Sequence, residues 1–343
     1  NPRASLRLTP EACASGPAPE LPAALLKELS AQALPSAHAV IRKDGGDDPD
    51  ATSGALVTAS VFLRSCPTLP CDAQDFVLLE GGPGVGRVTL PGLPVPVGMA
   101  AINPVPQAQI RFALGRVASR AAQGGRLCPP LLTVISVRDG AAIARRTFNP
   151  RLGIVGGISI LGTQGTVRPF SHTAWQATII QGLDVALATG CRTICLSTGR
   201  RSERLLMARY PGLAPQAFVQ AADFVQFSLN AAGAQTFEEI VWGCFFGKLV
   251  KLAQGHGYTH ARESELDMAE LARTCRTCGA ACAPAVSCCV TAGHALELIL
   301  ADPACHNVLA SLSRQAARVA HLFAGRRVRL HLFHLDGREL IAS

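Results

Sequence analysis

Tyrosine, tryptophan and lysine are scarce in this 343-residue chain, which holds two tryptophans, two tyrosines and only the lysines Lys27, Lys43, Lys248 and Lys251. So few large aromatics, with no block of basic residues, remove the stacking platform that a nucleic-acid binder needs. Charged residues are sparse, at 16%, and scattered, while 48% of residues are hydrophobic, which excludes a disordered polymer. Long apolar runs are also missing. The longest, near Leu152–Leu161 and Ala295–Ala301, are broken by glycine or charge and fall short of a bilayer span, so no membrane helix is expected. Residues 1–30 lack the basic end and apolar core of a secretory signal, and a cytoplasmic location is the expectation.

Arginine is what the chain has instead. The net charge is +8, from 32 Lys and Arg against 24 Asp and Glu, and it implies an anionic partner such as a small polycarboxylate or phosphate. Three of the four lysines fall inside motifs in a chain that otherwise uses arginine, which suggests a compact ammonium is needed there. Thirteen cysteines, an odd count, favour free thiols over a disulfide framework. Cys275, Cys278, Cys282, Cys288 and Cys289 crowd one late segment, but the lone CxxC has no second pair at zinc spacing. Small buried hydrophobes on helices are the expected role, a metal or cluster site the lesser one, and no metal is assigned.

The stretch Thr147–Ser171, TFNPRLGIVGGISILGTQGTVRPFS, cuts an apolar strand with five glycines. Thr163, Gly165 and Ser171 along it, bracketed by Arg151 and Arg168, suit a polar ligand lying against main-chain N–H groups. A buried strand followed by tight turns is the alternative. Upstream, KDGGDDPDATSGA (43–55) sets Asp44, Asp47, Asp48 and Asp50 in one Gly/Pro loop, whose repulsion calls for a cation, a helix N-terminus or a donor-rich ligand, with a solvated acidic turn as the alternative. GGPGVGRVT (81–89) has phosphate-loop spacing, but Arg87 and Val88 stand at the Lys and Ser/Thr positions and prolines forbid the following helix, so an NTPase is excluded. Strands at 37–42, 55–63, 76–80 and 131–137, with a helix near 108–123 introduced by Pro104 and Pro106, make this half an α+β unit.

The second half alternates strand and helix. RTICLS (192–197), a turn at Gly199, a helix carrying Glu203, a strand at 217–222 and then Asp223 follow the layout in which a Rossmann-like domain binds a nucleoside, the acid taking the ribose hydroxyls. A merely structural α/β unit is the alternative, since one glycine is not a full fingerprint. GKLVKLAQGHGYTH (247–260) gathers Lys248, Lys251, His256 and His260, with Gly255 and Gly257 favouring a loop over a metal-holding helix.

Taken in order, KDGGDDPDATSGA, GGPGVGRVTLPGLPVPVG, AINPVP, the 147–171 stretch, TGRRSE and GKLVKLAQGHGYTH resemble the cobalt-precorrin-5B C-1 methyltransferase family, CbiD, over about residues 37 to 343. The resemblance implies an α+β domain (36–165) after an atypical arm (1–35), then a Rossmann-like α/β domain (166–343). It implies S-adenosylmethionine as methyl donor and an anionic cobalt-containing corrin precursor as acceptor, in cobalamin biosynthesis, with other enzymes of that pathway as further partners and no nucleic acid or membrane. On this reading Gly199, Glu203, Thr163 and Gly165 seat the donor and Asp223 holds its ribose. Lys43, Arg151, Arg168, Ser171, Lys248 and Lys251 pair with substrate, Asp47 and Asp48 lie near the sulfonium or a ring N–H, and His260 carries protons. Pro83, Leu90, Gln107 and Gln164 depart from the family's Glu, Lys, Arg and Thr. Two lost cations are what a member that binds a corrinoid without methylating it would show, and that is the alternative function.

Overall fold

The computed structural model describes residues 36–46, 50–63, 77–123, 130–162 and 171–342. It divides into two compact units, residues 1–171 and 172–343. Asp47, Asp48, Thr163, Gly165 and Arg168, and the expected helix near 25–32, lie outside the described residues.

In the first unit a four-stranded sheet runs in the order β1 (Ser36–Arg42), β2 (Leu56–Leu63), β6 (Leu131–Val137), β3 (Val77–Gly81), antiparallel except for the parallel β3/β6 pair. LLTVISV in β6 is buried at every position, as a central strand covered on both faces must be. Two small ribbons pack nearby, β4 (Gly84–Val85) with β8 (Gly157–Ile158) and β5 (Arg87–Val88) with β7 (Ile154–Val155). Their glycines answer to packing. A Cβ on Gly157 would stand 2.2 Å from the Gly84 carbonyl oxygen, and one on Gly140 2.1 Å from the same atom, so three backbones meet where only hydrogen fits. In the described part of the glycine-rich stretch, β7 and β8 are two-residue strands separated by Gly156, at φ +85°. Helix α1 begins at Pro104 and runs to Gln123, earlier than expected, because a proline in the first turn has no N–H to lose. A short helix, α2 (Gly140–Ala144), follows β6. Leu90 packs against Gly153, and Gln107 donates to the Ile102 carbonyl at 2.7 Å, so two departures from the family pattern have local structural work.

The second unit is built on a five-stranded sheet, order β10 (Phe218–Gln220), β9 (Thr193–Ser197), β11 (Glu239–Phe245), β12 (Val328–Phe333), β13 (Glu339–Ala342). The first four are parallel and β13 is an antiparallel edge. Because β10 and β11 flank β9, the chain reverses direction across the sheet at the carboxyl end of β9, which is where open α/β sheets leave a crevice. Ile194, Leu196, Ile240, Trp242, Leu330 and Leu332 form one face and join the large core. That core also takes residues from α3 (His172–Ala188), α5 (Val225–Gly233), α6 (Phe246–Ala253), α7 (Met268–Thr277), α8 (Ala283–Ser287), α9 (Ala292–Ala301) and α10 (Cys305–Ala324). Cys195, Val241 and Phe333 on the other face pack with Leu206 of α4 (Arg200–Arg209). Local signals end the helices: Asp267 accepts from the Glu270 N–H at 2.8 Å to cap α7, and Gly325, at φ +67°, terminates α10. No helix among the described residues is long and apolar enough to cross a membrane.

Candidate functional site

The carboxyl ends of β9, β10 and β11 bring several singled-out residues together. Gly199 follows β9 with φ 156° and ψ −177°, a backbone region that side chains rarely enter, while a Cβ there would meet nothing within 4 Å. Conformation, not space, requires the glycine. It starts α4 without a side-chain cap, leaving N–H groups at the strand end. Beside it the hydroxyl of Ser197 is fully buried with no hydrogen-bond partner. Glu203, one turn into α4, is 1% exposed and accepts from Gln220 Nε2 at 2.7 Å, tying α4 to the end of β10.

Ala222 has φ +50°, uncommon for a residue with a side chain, and that turn delivers Asp223. Asp223 pairs with the Lys248 ammonium from the start of α6, and Thr259 Oγ1 donates to its carboxylate at 3.2 Å. The loop after α6 is held by the same groups. Thr259 N–H donates to the Asp223 carbonyl at 3.0 Å, and the Thr259 carbonyl accepts from Lys248 at 2.8 Å and Lys251 at 3.2 Å. Lys251 is buried. Desolvation, and then the Lys248 charge, hold its ammonium below the usual lysine range against the pull of Asp223. A compact ammonium is thus used here, but the two lysines engage the protein itself: one carboxylate and one carbonyl absorb both.

His256 and His260 lie on the loop, as the flanking glycines suggested. His260 Nδ1 accepts from the Arg262 N–H at 3.3 Å, and its ring stacks at 6.1 Å on Tyr258. Among the described residues no three His, Cys, Asp or Glu side chains group as a metal site. Cys275 and Cys289 are buried, burial pushes the Cys275 thiol up to about 12, and Cys288 is exposed. In the first unit Lys43 donates to Asp50 and Thr52. Burial raises the Asp50 carboxyl, but hydrogen bonds from Lys43 and Thr52 outweigh it and leave it below its ordinary value. Arg151 sits in the turn after Asn149, its N–H on the Phe148 carbonyl at 3.0 Å, and Ser171 closes the unit.

Residues 16–169 match the family model CbiD, and residues 258–343 match the model CbiD, C-terminal domain. The chain belongs to the CbiD family. A cobalt-precorrin-5B C(1)-methyltransferase of Nitratidesulfovibrio vulgaris is 56% identical over 90% of this chain and 77% of its own length. Proteins of the same name from Geobacter sulfurreducens (44% identical, 81% of this chain, 76% of that one) and Geobacillus kaustophilus (47%, 72% and 63%) are also similar. The chain therefore spans less than two thirds of the Geobacillus protein's length. A crystal structure of a cobalamin biosynthesis protein (cbiD) from Archaeoglobus fulgidus is 24% identical over 63% of this chain and 62% of that one, with a TM-score of 0.28.

Sequence reasoning missed the aromatic group beside this CbiD corner. Phe224, Tyr258 and His172 have centroids 5.0 to 5.2 Å apart, and Tyr258 Oη meets His172 Nε2 at 3.2 Å. Three separated segments supply them. The one available signal was that Tyr258 is one of two tyrosines in the chain.

Proposed function

We propose that the chain methylates C-1 of cobalt-precorrin-5B to give cobalt-precorrin-6A, with S-adenosylmethionine as donor. The observation that carries the reading is family membership, supported by a reversal of strand order at β9, with Gly199 following β9 and Asp223 following β10 at the same end of the sheet. We read the second unit as Rossmann-like. Its parallel core order, the glycine turn opening α4 and the acid after β10 support that reading.

In this reaction an electron-rich ring carbon attacks the methyl group, the carbon–sulfur bond breaks with its electrons returning to sulfur, and the positive charge there is lost. The protein's task is alignment in a dry site. The N–H groups opening α4 would receive the donor's carboxylate, and Asp223 its ribose hydroxyls. Glu203 is a positioning residue, holding the end of β10 through Gln220. Lys248, Lys251 and Thr259 fix the loop that completes the corner, and His260 on that loop is our candidate for proton traffic. Arg151, Arg168, Ser171 and Lys43 remain proposed partners of the corrin carboxylates, with Thr163 and Gly165 on the donor and Asp47 and Asp48 near the sulfonium.

Isothermal titration with S-adenosylmethionine and with S-adenosylhomocysteine tests the donor site. Saturable binding of either is expected. Absence of both, with a folded protein by circular dichroism and with a corrinoid present, would leave the corrinoid-binding alternative.

A further inference from the structure

Next to Asp223 lies an open cavity of ≈ 810 Å³, formed where the first two turns of α3 and α5 meet the 257–263 loop. His172, Phe224 and Tyr258 give it an aromatic wall, and Gln176, Gln226 and Asn230 line it with side-chain amides. Its charge decides what it can hold. Among the described residues no lysine or arginine lines it, although the chain carries +8, and Glu263 contributes a carboxylate facing His172. A macrocycle rimmed with carboxylates would lose its hydration there and meet none of the described lysines or arginines, so the corrin is disfavoured. A flat, uncharged heteroaromatic ring attached to a positive centre fits both the amides and the carboxylate.

We propose that this cavity receives the adenine of the methyl donor. The inference rests on the reading that the donor is an S-adenosyl compound, and it adds where the base goes and which residues read it. Phe224 follows Asp223 directly, and Thr259, after Tyr258, donates its N–H to the Asp223 carbonyl at 3.0 Å. A ribose held by Asp223 therefore places its base at the aromatic wall. Gln226 is fixed there by its own N–H on the Gly257 carbonyl at 2.9 Å, and its side-chain amide lies against Gly257 on the cavity wall. Burial, then the charges of Glu263 and Asp223, push the Tyr258 phenol up, so it stays a neutral partner for a ring.

The test uses the full chain and three probes: S-adenosylhomocysteine, its inosine counterpart, and its 8-azidoadenosine counterpart. Wild-type protein is expected to bind the adenosine form about tenfold tighter than the inosine form, because the amides lose a matched edge. Photolabelling is expected on peptides containing residues 224–231 or 257–263, and Tyr258→Ala is expected to weaken S-adenosylhomocysteine about tenfold while corrinoid affinity stays unchanged. Label confined to other peptides, or a Tyr258→Ala variant with full affinity, would overturn the adenine assignment and leave the donor reading intact. Failure of wild-type protein to bind any of the three would overturn the donor reading and the assignment with it.

Discussion

Removing the Lys248 ammonium by Lys248→Met breaks the ion pair that links the ends of β10 and β11. The two side chains are 30% and 22% exposed, which places the pair between a surface bridge, worth under about 1 kcal/mol, and a buried one, whose rupture costs about 3–5 kcal/mol. Two contacts soften the loss: Asp223 keeps the Thr259 hydroxyl at 3.2 Å, and the Thr259 carbonyl keeps Lys251 at 3.2 Å. The expected cost is about 1.5 kcal/mol, a drop of roughly 3–6 °C in the melting temperature of a unit this size. Both tryptophans, Trp175 and Trp242, lie in the second unit, so tryptophan fluorescence follows its unfolding selectively. The pair Lys248→Met and Asp223→Asn should show a coupling energy of about 1 kcal/mol in a double-mutant cycle. Asp223→Ala is expected to weaken donor binding about tenfold, whereas Lys248→Met leaves it within about twofold, because only the acid meets the ribose. Additivity of the two substitutions within about 0.3 kcal/mol would refute the structural pairing. Unchanged donor affinity in Asp223→Ala would remove the acid from the site.

Other consequences separate packing from conformation and thiol from thiolate. Gly157→Ala should cost more than about 3 kcal/mol, since its Cβ meets the Gly84 backbone at 2.2 Å, whereas Gly156→Ala, at φ +85° with open space around it, should cost only about 1–2 kcal/mol; hydrogen exchange in residues 131–137 reads the difference. Iodoacetamide at pH 8 should label the exposed Cys288 and spare Cys195, Cys244 and Cys275, whose thiols burial pushes up to about 12, with peptide mass spectrometry as the readout. Because Asp50 titrates below its ordinary value in the folded protein, the stabilisation it shares with Lys43 is fully present above its unfolded value near 3.8 and is lost as pH falls through the lower folded one. The urea-midpoint gap between wild type and Lys43→Met should therefore persist at pH 5 to 7 and close only below about pH 4.

Much of the second unit was legible because its strands are buried on both faces. EIVWGCF at 239–245 reads as a strand from a short, mostly apolar run, and β11 occupies those residues. The turn at Gly199 and the acid at Asp223 were visible from their order along the chain, since both depend on local backbone geometry. What the sequence concealed is tertiary. Gly157 reads equally well as a ligand cradle or as a packing position until Gly84, from a distant segment, is seen against it. The scarce lysines stood out in the sequence, but the partner of Lys248 is Asp223 and that of Lys43 is Asp50, and no periodicity reports such pairings. The aromatic wall escaped for the same reason, with His172, Phe224 and Tyr258 contributed by separate segments.

Methyl transfer itself can be followed by anaerobic incubation of the full chain with cobalt-precorrin-5B and S-adenosylmethionine labelled in its methyl group. The expected product carries one labelled methyl at C-1, located by mass spectrometry and carbon NMR, with S-adenosylhomocysteine formed in equal amount. Bound but unmethylated corrinoid, with the donor consumed no faster than in a blank, would contradict that transfer.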